Sequence, residues 1–379
     1  MKKMIYADHA ATTPLSPSAF EAMKPWLTGN YGNPSTLYSF AHEPRKAIQA
    51  ARETIASQIG ADPDEIYFTS GGTEADNWAI KGSAYADDGK HATITSAFEH
   101  HAILQSCAAI ERLGYPIAYM WPTSDGYITP EILDSYISYS TRLVSVMAVN
   151  NELGTLQPIK RLCEAAHTHG AVFHTDAVQA LGHIHINVSD LNVDMMSASA
   201  HKFNGPKGIG FLYIRNGVSI RPFADGGRQE RQMRAGTENV AGIVGMATAL
   251  QENCLQIEAN QIHLENLEGT LIGRLQESGI RFHINGGKDS LPGLMSISFP
   301  GFDGEVLLHQ LDLLRGICLS TGSACNSDSA EISHVLKAIR MDEESAKGTI
   351  RVSFGKENTI DEALVIGETL IKVLQRNRH

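Results

Sequence analysis

Residues 193–208, Val-Asp-Met-Met-Ser-Ala-Ser-Ala-His-Lys-Phe-Asn-Gly-Pro-Lys-Gly, place a lysine where carbonyl chemistry could use one. An apolar run suited to a buried strand gives way to small residues, presents Ser199, His201 and Lys202, and closes on Gly205-Pro206. Lys202 is therefore delivered at a strand end. A lysine amine whose pKa is lowered by burial or by cationic neighbours can form an imine with an aldehyde, as a pyridoxal phosphate site requires. Read alone, a lysine beside a turn is a solvated surface group, so the rest of such a site has to come from other segments.

Those segments are present. Ile66-Tyr-Phe-Thr-Ser-Gly-Gly-Thr-Glu-Ala75 reads as a short strand, a glycine turn and a helix opening at Thr73-Glu74. Gly71 and Gly72 would let the backbone approach an anion, the first helical N–H groups would point at it, and Thr73 would add a hydroxyl. The plain alternative is a βα turn with Thr73 as N-cap. Neither G-x-G-x-x-G after a strand nor G-x-x-x-x-G-K-[ST] occurs, which removes the main support for dinucleotide and P-loop readings. Ala171-Val-Phe-His-Thr-Asp-Ala-Val-Gln179 is a strand ending in Asp176, with Gln179 three residues on. A carboxylate there can keep a pyridine nitrogen protonated and an amide can reach a ring oxygen, although Asp176 could equally be an N-cap. Glu99-His100-His101 follows the strand His91 to Ser96 and starts a helix, where an imidazole could lie over a flat ring and move protons. Asn150-Asn151-Glu152 follows a further strand, Val144 to Val149.

Together with Ala7-Asp-His-Ala-Ala-Thr-Thr-Pro14, Gly32-Asn-Pro-Ser35, Arg234-Ala-Gly-Thr237 and Ser320-Thr-Gly-Ser-Ala-Cys325, these segments resemble a NifS/IscS-type cysteine desulfurase of the class V aminotransferase family. The resemblance runs in order from about residue 5 to about residue 355. It implies a fold-type I, pyridoxal 5'-phosphate-dependent transferase with Lys202 as Schiff-base lysine, Asp176 on the pyridine nitrogen, Gln179 and Asn151 near the ring oxygen, and His100 stacked on the ring. It implies that Gly72, Thr73, Ser199 and His201 hold the phosphate and that Thr237 reaches the phosphate of a partner subunit. Asn33, Asn151 and Arg351 would bind the substrate, Arg351 through its carboxylate. Cys325 would accept the sulfur, and the small-residue stretch around it, followed by Asn326 to Ala330, is similar to the group I pattern.

The five cysteines, Cys107, Cys163, Cys254, Cys318 and Cys325, form no C-x-x-C pair, which argues against a disulfide framework or zinc ribbon and suits a reducing cytosol. The first three fall in helical segments and Cys318 in an apolar run, so packing is their default role. Cys325 sits among Ser, Thr, Gly, Ala and Asn, a composition that predicts a loop and an exposed thiol able to swing into a site and out again. An inert surface thiol has the same composition; the lysine and cofactor segments decide between them. His183 and His185 could share a strand face, yet two ligands without a third make no metal site.

The elements that must position these residues read as a mainly parallel α/β sheet. Strands near 65–69, 91–96, 116–121, 143–149, 171–177, 193–199 and 209–214 alternate with helices near 41–59, 73–86, 100–113 and 158–168. Val240 to Ser278 reads as one long helix, kinked at Gly269 or Gly273 and linking two domains. Strands near 281–285, 295–299 and 349–354 with helices near 303–314, 330–340 and 360–375 form a smaller α+β unit. Residues 14–255 are expected to make the large seven-stranded domain, and 1–13 plus 256–379 the small domain carrying Cys325.

With 379 residues, 42% of them hydrophobic, the chain can build about two cores. A net charge of −11 disfavours a constitutive nucleic-acid or anionic-membrane binder. Apolar stretches such as Gly242 to Leu250 are too short to span a bilayer, and Met1-Lys-Lys-Met-Ile-Tyr-Ala-Asp leads into polar residues without a signal-peptide core, so a cytoplasmic enzyme is expected. The activity implied by the resemblance converts L-cysteine to L-alanine and leaves a persulfide on Cys325 for a sulfur acceptor, either an iron–sulfur scaffold or a tRNA-thiolation or cofactor-biosynthesis enzyme. A homodimer is implied too. A transaminase or a β-eliminating cysteine or selenocysteine lyase would use the same lysine and aspartate without needing the thiol. Scaffold-feeding members of the resembled family extend beyond the final helix, whereas this sequence ends at Val373-Leu-Gln-Arg-Asn-Arg-His379, an expectation in favour of a dedicated acceptor.

Overall fold

Short segments rich in β-branched and aromatic residues, such as Ile66–Thr69 and Thr141–Ser145, assemble into a seven-stranded sheet in the computed structural model, which describes residues 4–86, 89–321 and 332–376. Across the sheet the order is Ile66–Thr69, Gly210–Ile214, Met195–Ser199, Val172–Asp176, Thr141–Ser145, Ala92–Ser96 and Ile117–Met120. Neighbours pair in parallel except at Gly210–Ile214, which runs antiparallel to both flanking strands. Successive residues feed opposite faces. Leu143, Met195 and Leu212 pack with Trp78, Ile80 and Ile103, whereas Val144, Met196 and Phe211 belong to the core on the other side. This is the two-residue period of strands buried on both faces.

A second core gathers Ile5, Ala7, Leu267, Leu271, Phe299, Ile350 and Leu370. It surrounds a three-stranded antiparallel sheet of His283–Asn285, Leu294–Ser298 and Thr349–Ser353, and a parallel pair of Ile5–Tyr6 with Ile317–Cys318. The first strand thus comes from the chain's start and pairs more than three hundred residues away. Leu294, Val335 and Leu336 pack into the first core, so the later part of the chain contributes to both.

Two expectations from sequence are corrected. Val240 to Ser278 is not one kinked helix but two, Val240–Cys254 and Ile257–Glu277, and the break falls at Leu255-Gln256. Gly269 and Gly273 stay inside the second helix, where a Cβ would meet nothing within 4 Å. Their propensity cost of about 1 kcal/mol each is offset by the buried stripe Leu264, Leu267, Leu271 and Leu275. The break lies where the chain changes partners: the first helix packs on Pro17–Thr28 and His42–Ile59, the second on Ile360–Arg376. His183 and His185 share no strand face. They follow a turn, where His183 Nε2 lies 2.9 Å from the Lys202 carbonyl and His185 Nε2 2.6 Å from Glu258. No helix among the described residues is long and apolar enough to cross a membrane.

Candidate active site

The carboxyl ends of five strands open on one cavity of about 540 Å³. Ile66–Thr69 leads to Gly72 and Thr73, Ala92–Ser96 to His100, Thr141–Ser145 to Asn151, Val172–Asp176 ends on Asp176 itself, and Met195–Ser199 leads through a 3-10 turn to Lys202. All of these side chains line the cavity, as do Gln179, Ser199, His201 and Arg351. Parallel strands place ligand sites at this edge because loops and helix N-termini collect there.

The anion cup depends on its two glycines. Gly71 has φ +152°, which favours glycine, and a Cβ on Gly72 would come within 2.6 Å of Val178 Cγ2. Helix Gly72–Ala84 therefore begins close against Val178 and Ser199, with its first-turn N–H groups free of intrahelical partners. Glu74 anchors the cup from outside: it accepts from Ser70 Oγ and Nε of Arg234 binds it at 2.8 Å.

Lys202 is held by a strap that composition gave no reason to expect. Its Nζ donates to the carbonyls of Ala10 and Ala11, the latter at 2.8 Å. The strap is clipped in turn by Thr13, whose N–H and hydroxyl both donate to the His201 carbonyl at 2.9 Å. Thr12 Oγ1 lies 3.1 Å from His201 Nδ1. Gln179 belongs to the same arrangement, giving one amide hydrogen to Ala10 O at 2.9 Å.

Burial sets the charge states around the lysine. Burial raises Asp176 to about 6, opposed by the Val178 N–H, which donates to its Oδ1 at 2.9 Å, and by Lys202, both of which favour the charged form. His100 Nδ1 accepts from Ala102 N–H at 3.1 Å, so the neutral ring carries its proton on Nε2. Burial, aided by Lys202, His101 and His334, lowers His100 to about 4, so near neutral pH it presents an uncharged flat ring. Arg351 donates to Asn151 O and to Asp8 Oδ1, both at 2.8 Å, and its buried Nε has no hydrogen-bond partner among the described residues.

These residues fit pyridoxal phosphate. The cup offers backbone and hydroxyl donors for a phosphate, Asp176 a carboxylate for a pyridinium, His100 a flat neutral face, and Lys202 an amine. Two candidate residues are not brought into the cavity wall of the single chain. The Asn33 carboxamide oxygen instead accepts from Ser35 N–H at 2.9 Å, and Thr237 lines a neighbouring recess with Ser70, Gly208 and Arg234. Cys325 lies outside the described residues. Of the other cysteines, Cys107 and Cys163 are pushed up to about 12 and Cys254 to about 11, in each case chiefly by burial, which makes them poor nucleophiles. Sequence reasoning missed Asp76, which also lines the cavity; its one signal was a position three residues after Thr73, on the same side of the helix.

The aminotransferase class-V family profile matches residues 5–365. The cysteine desulfurase IscS of Clostridium botulinum (strain Hall) is 45% identical over 383 residues, covering 100% of this chain and 96% of that protein. Among solved structures, a NifS-like protein superposes with a TM-score of 0.92 at 36% identity, over 99% of this chain and 100% of the other. A structure of SspA in complex with cysteine gives 0.83 at 35% identity, over 94% of this chain and 100% of that one.

Proposed function

We propose, on the premise that this chain belongs to the aminotransferase class-V family and to the cysteine desulfurases within it, that it takes sulfur from L-cysteine, releases L-alanine and passes the sulfur on. The observation that carries the reading is that Lys202, Asp176, His100 and the Gly72-Thr73 cup line one cavity. Enzymes of this family depend on pyridoxal phosphate, which when bound supplies an aldehyde for the substrate amine and a ring that draws electrons from the substrate Cα.

The chain's own groups divide the remaining work. Gly72, Thr73, Ser199 and His201 hold the phosphate, Asp176 the ring nitrogen, Gln179 and Asn151 the ring oxygen, and His100 covers the ring. Arg351, with Nε to spare, takes the substrate carboxylate. Lys202 Nζ, released by the incoming amine, removes the Cα proton. The Cys325 thiolate then attacks the substrate sulfur: an S–S bond forms, the Cβ–S bond breaks, and its electron pair stays with the carbon fragment, which is protonated to alanine. Lys202, carrying the proton it took from Cα, is the acid for this step, and the neutral Nε2–H of His100 offers a hydrogen bond beside it. Cys325 is left as a persulfide, a reversible state of the thiol.

The same reading extends to assembly and setting. Residues 14–255 form the large domain and 1–13 with 256–379 the small one, a division that the two apolar cores support except at Ala10, Leu291, Leu294 and the 335–346 stretch, which pack into the first core. The active unit is a homodimer in which Thr237 completes the partner's phosphate site, supported by its place outside the chain's own cavity wall. The enzyme is cytoplasmic, and the persulfide goes to an iron–sulfur scaffold or a tRNA-thiolation enzyme. Lys202→Ala is expected to purify without the yellow, borohydride-reducible lysine adduct and to form no alanine. A reducible adduct in that variant would overturn the role of Lys202. Pyruvate in place of alanine from the parent enzyme would overturn desulfuration in favour of β-elimination.

A further inference from the structure

Asp8 belongs to the strap that holds Lys202, and its backbone lies beside the end of strand Thr349–Ser353. Ser353 N–H donates to the Ala7 carbonyl at 2.8 Å, and His9 N–H to the Ser353 carbonyl at 3.1 Å. Arg351 and Ser353 stand two residues apart on that strand, so their side chains leave it on one face. The strap crosses this face: Ser353 Oγ accepts from Ala10 N–H at 2.9 Å, and Arg351 Nη2 donates to Asp8 Oδ1 at 2.8 Å. The Arg351 and Asp8 side chains are 5% and 16% exposed, which makes theirs a buried ion pair.

A guanidinium carries its N–H donors in one plane, and here that plane is fixed at two points. Nη1 donates to the Asn151 carbonyl at 2.8 Å and Nη2 to Asp8, which leaves Nε shielded from water and without a partner among the described residues. A buried donor in a cavity wall that no protein group satisfies is one that a bound ligand can satisfy. Two residues after Asp8, the same strap offers the Ala10 and Ala11 carbonyls to Lys202 Nζ. Four consecutive residues, Asp8 to Ala11, thus fix both the amine that the substrate nitrogen replaces and the cation that meets its carboxylate. In an α-amino acid these two substrate groups are joined through a single carbon, and a misplacement of about 1 Å between their receptors is costly.

We propose that Asp8 is a positioning residue that sets the enzyme's preference for α-amino acids: it turns the Arg351 guanidinium so that Nε meets the substrate carboxylate, in register with the Lys202 held by the same strap. This inference rests on the reading of the cavity as a pyridoxal phosphate site for an amino acid. Asp8 is not itself part of the cavity wall and acts through Arg351. An amine of similar size that lacks the carboxylate therefore gains nothing from it.

The test uses the holoenzyme and two ligands that differ only in the carboxylate, L-alanine and ethylamine, with dissociation constants read from the absorbance of the bound cofactor. Asp8→Ala removes the acceptor from Arg351 Nη2. It should weaken L-alanine by about tenfold and leave ethylamine within about twofold of the parent. Asp8→Asn keeps an oxygen that can accept the same bond, and should bring L-alanine back to within about threefold of the parent. On top of Arg351→Ala, D8A should cost L-alanine nothing further. Equal losses for both ligands in D8A, parent-like L-alanine binding in D8A, no rescue by D8N, or a further loss in the double variant overturns the proposal. If D8A yields no folded holoenzyme, Asp8→Glu decides. It keeps the charge but moves the carboxylate by one methylene, so the preference for L-alanine over ethylamine should fall by about tenfold, and a parent-like preference overturns the proposal. A parent protein that takes up no pyridoxal phosphate, or an R351A variant that binds L-alanine like the parent, overturns the reading of the cavity itself, and the proposal with it.

Discussion

Burial, more than neighbouring charge, sets protonation in the wall of this cavity, at His100 and His201, and behind that wall, at His174 and Glu99. It is the largest cause lowering His100 and His201 to about 4 and His174 to about 3, and raising Glu99 to about 8. For a histidine the consequence for stability has a definite sign. Between about pH 6.5 and 3 the unfolded chain binds a proton at His174 that the folded chain refuses, so stability falls as pH drops through that window. His174→Gln is expected to flatten the slope of unfolding free energy there by about 1.4 kcal/mol per pH unit, read from denaturant titrations at several pH values. A slope equal to the parent's would refute it. The thiol gives a second expectation: Cys325→Ser should bind cofactor and cysteine yet release almost no alanine, since a hydroxyl cannot accept sulfur as a thiolate does. Near-normal alanine production would remove Cys325 from the reaction. Lys202, Asp176 and His100 were legible in the sequence because each stands at a strand end, where residue type and position already suggest chemistry. Asp76 was not. An acid in the first turns of a helix reads as a solvated, dipole-stabilising group, and only the packing of that helix on the sheet buries it.

At the level of elements, the strand–turn–helix of Ile66–Ala84 couples the sheet to the phosphate site, and the coupling runs through a glycine. Adding even a methyl group at Gly72 forces the helix start away from Val178, since the gap to Val178 Cγ2 is 2.6 Å. Gly72→Ala is therefore expected to weaken pyridoxal phosphate binding by about tenfold, while affinity for pyridoxal, which lacks the phosphate, changes little. Equal losses for both ligands would place the glycine's role in general packing. Strands and helices of the large sheet were readable because they are long, periodic and locally encoded. The pair Ile5–Tyr6 with Ile317–Cys318 was not, being two residues per strand and joined only by the tertiary fold. The break at Leu255-Gln256 was misplaced for a related reason: glycines mark weak points in a helix taken alone, whereas the actual break marks where the chain passes from one core to the other. The Ala7–Pro14 strap was visible as a motif, but its hold on Lys202 is a contact across nearly two hundred residues.

In the whole molecule, the segment that carries Thr237 is held in a costly conformation. Glu230, Arg231 and Gln232 all have positive φ, 43°, 56° and 68°, a left-handed run that costs about 1–2 kcal/mol per residue. It persists because Glu230 is locked to Arg52 by a buried 2.6 Å ion pair and donated to by the Phe68 N–H. Arg231 lies over the Tyr67 ring at 4.1 Å, and Arg234 is fixed to Glu74. Such strain suits a segment whose end must be aimed, yet Thr237 itself is exposed and outside its own chain's cavity wall. The proposed homodimer with shared sites would account for this, and mixing experiments can test it without a structure of the pair. Thr237→Glu would set a carboxylate against the partner's phosphate, and Lys202→Ala removes the amine, so each variant alone should be inactive. In a mixed dimer of the two, one site has both defects. The other joins an intact Lys202 to an intact Thr237 from the neighbouring chain. Unfolding and refolding the two variants together in equal amounts should therefore restore about a quarter of the parent's activity, because half the dimers are mixed and each has one working site. If Thr237 serves its own chain, every site in the mixture keeps a defect and no activity returns.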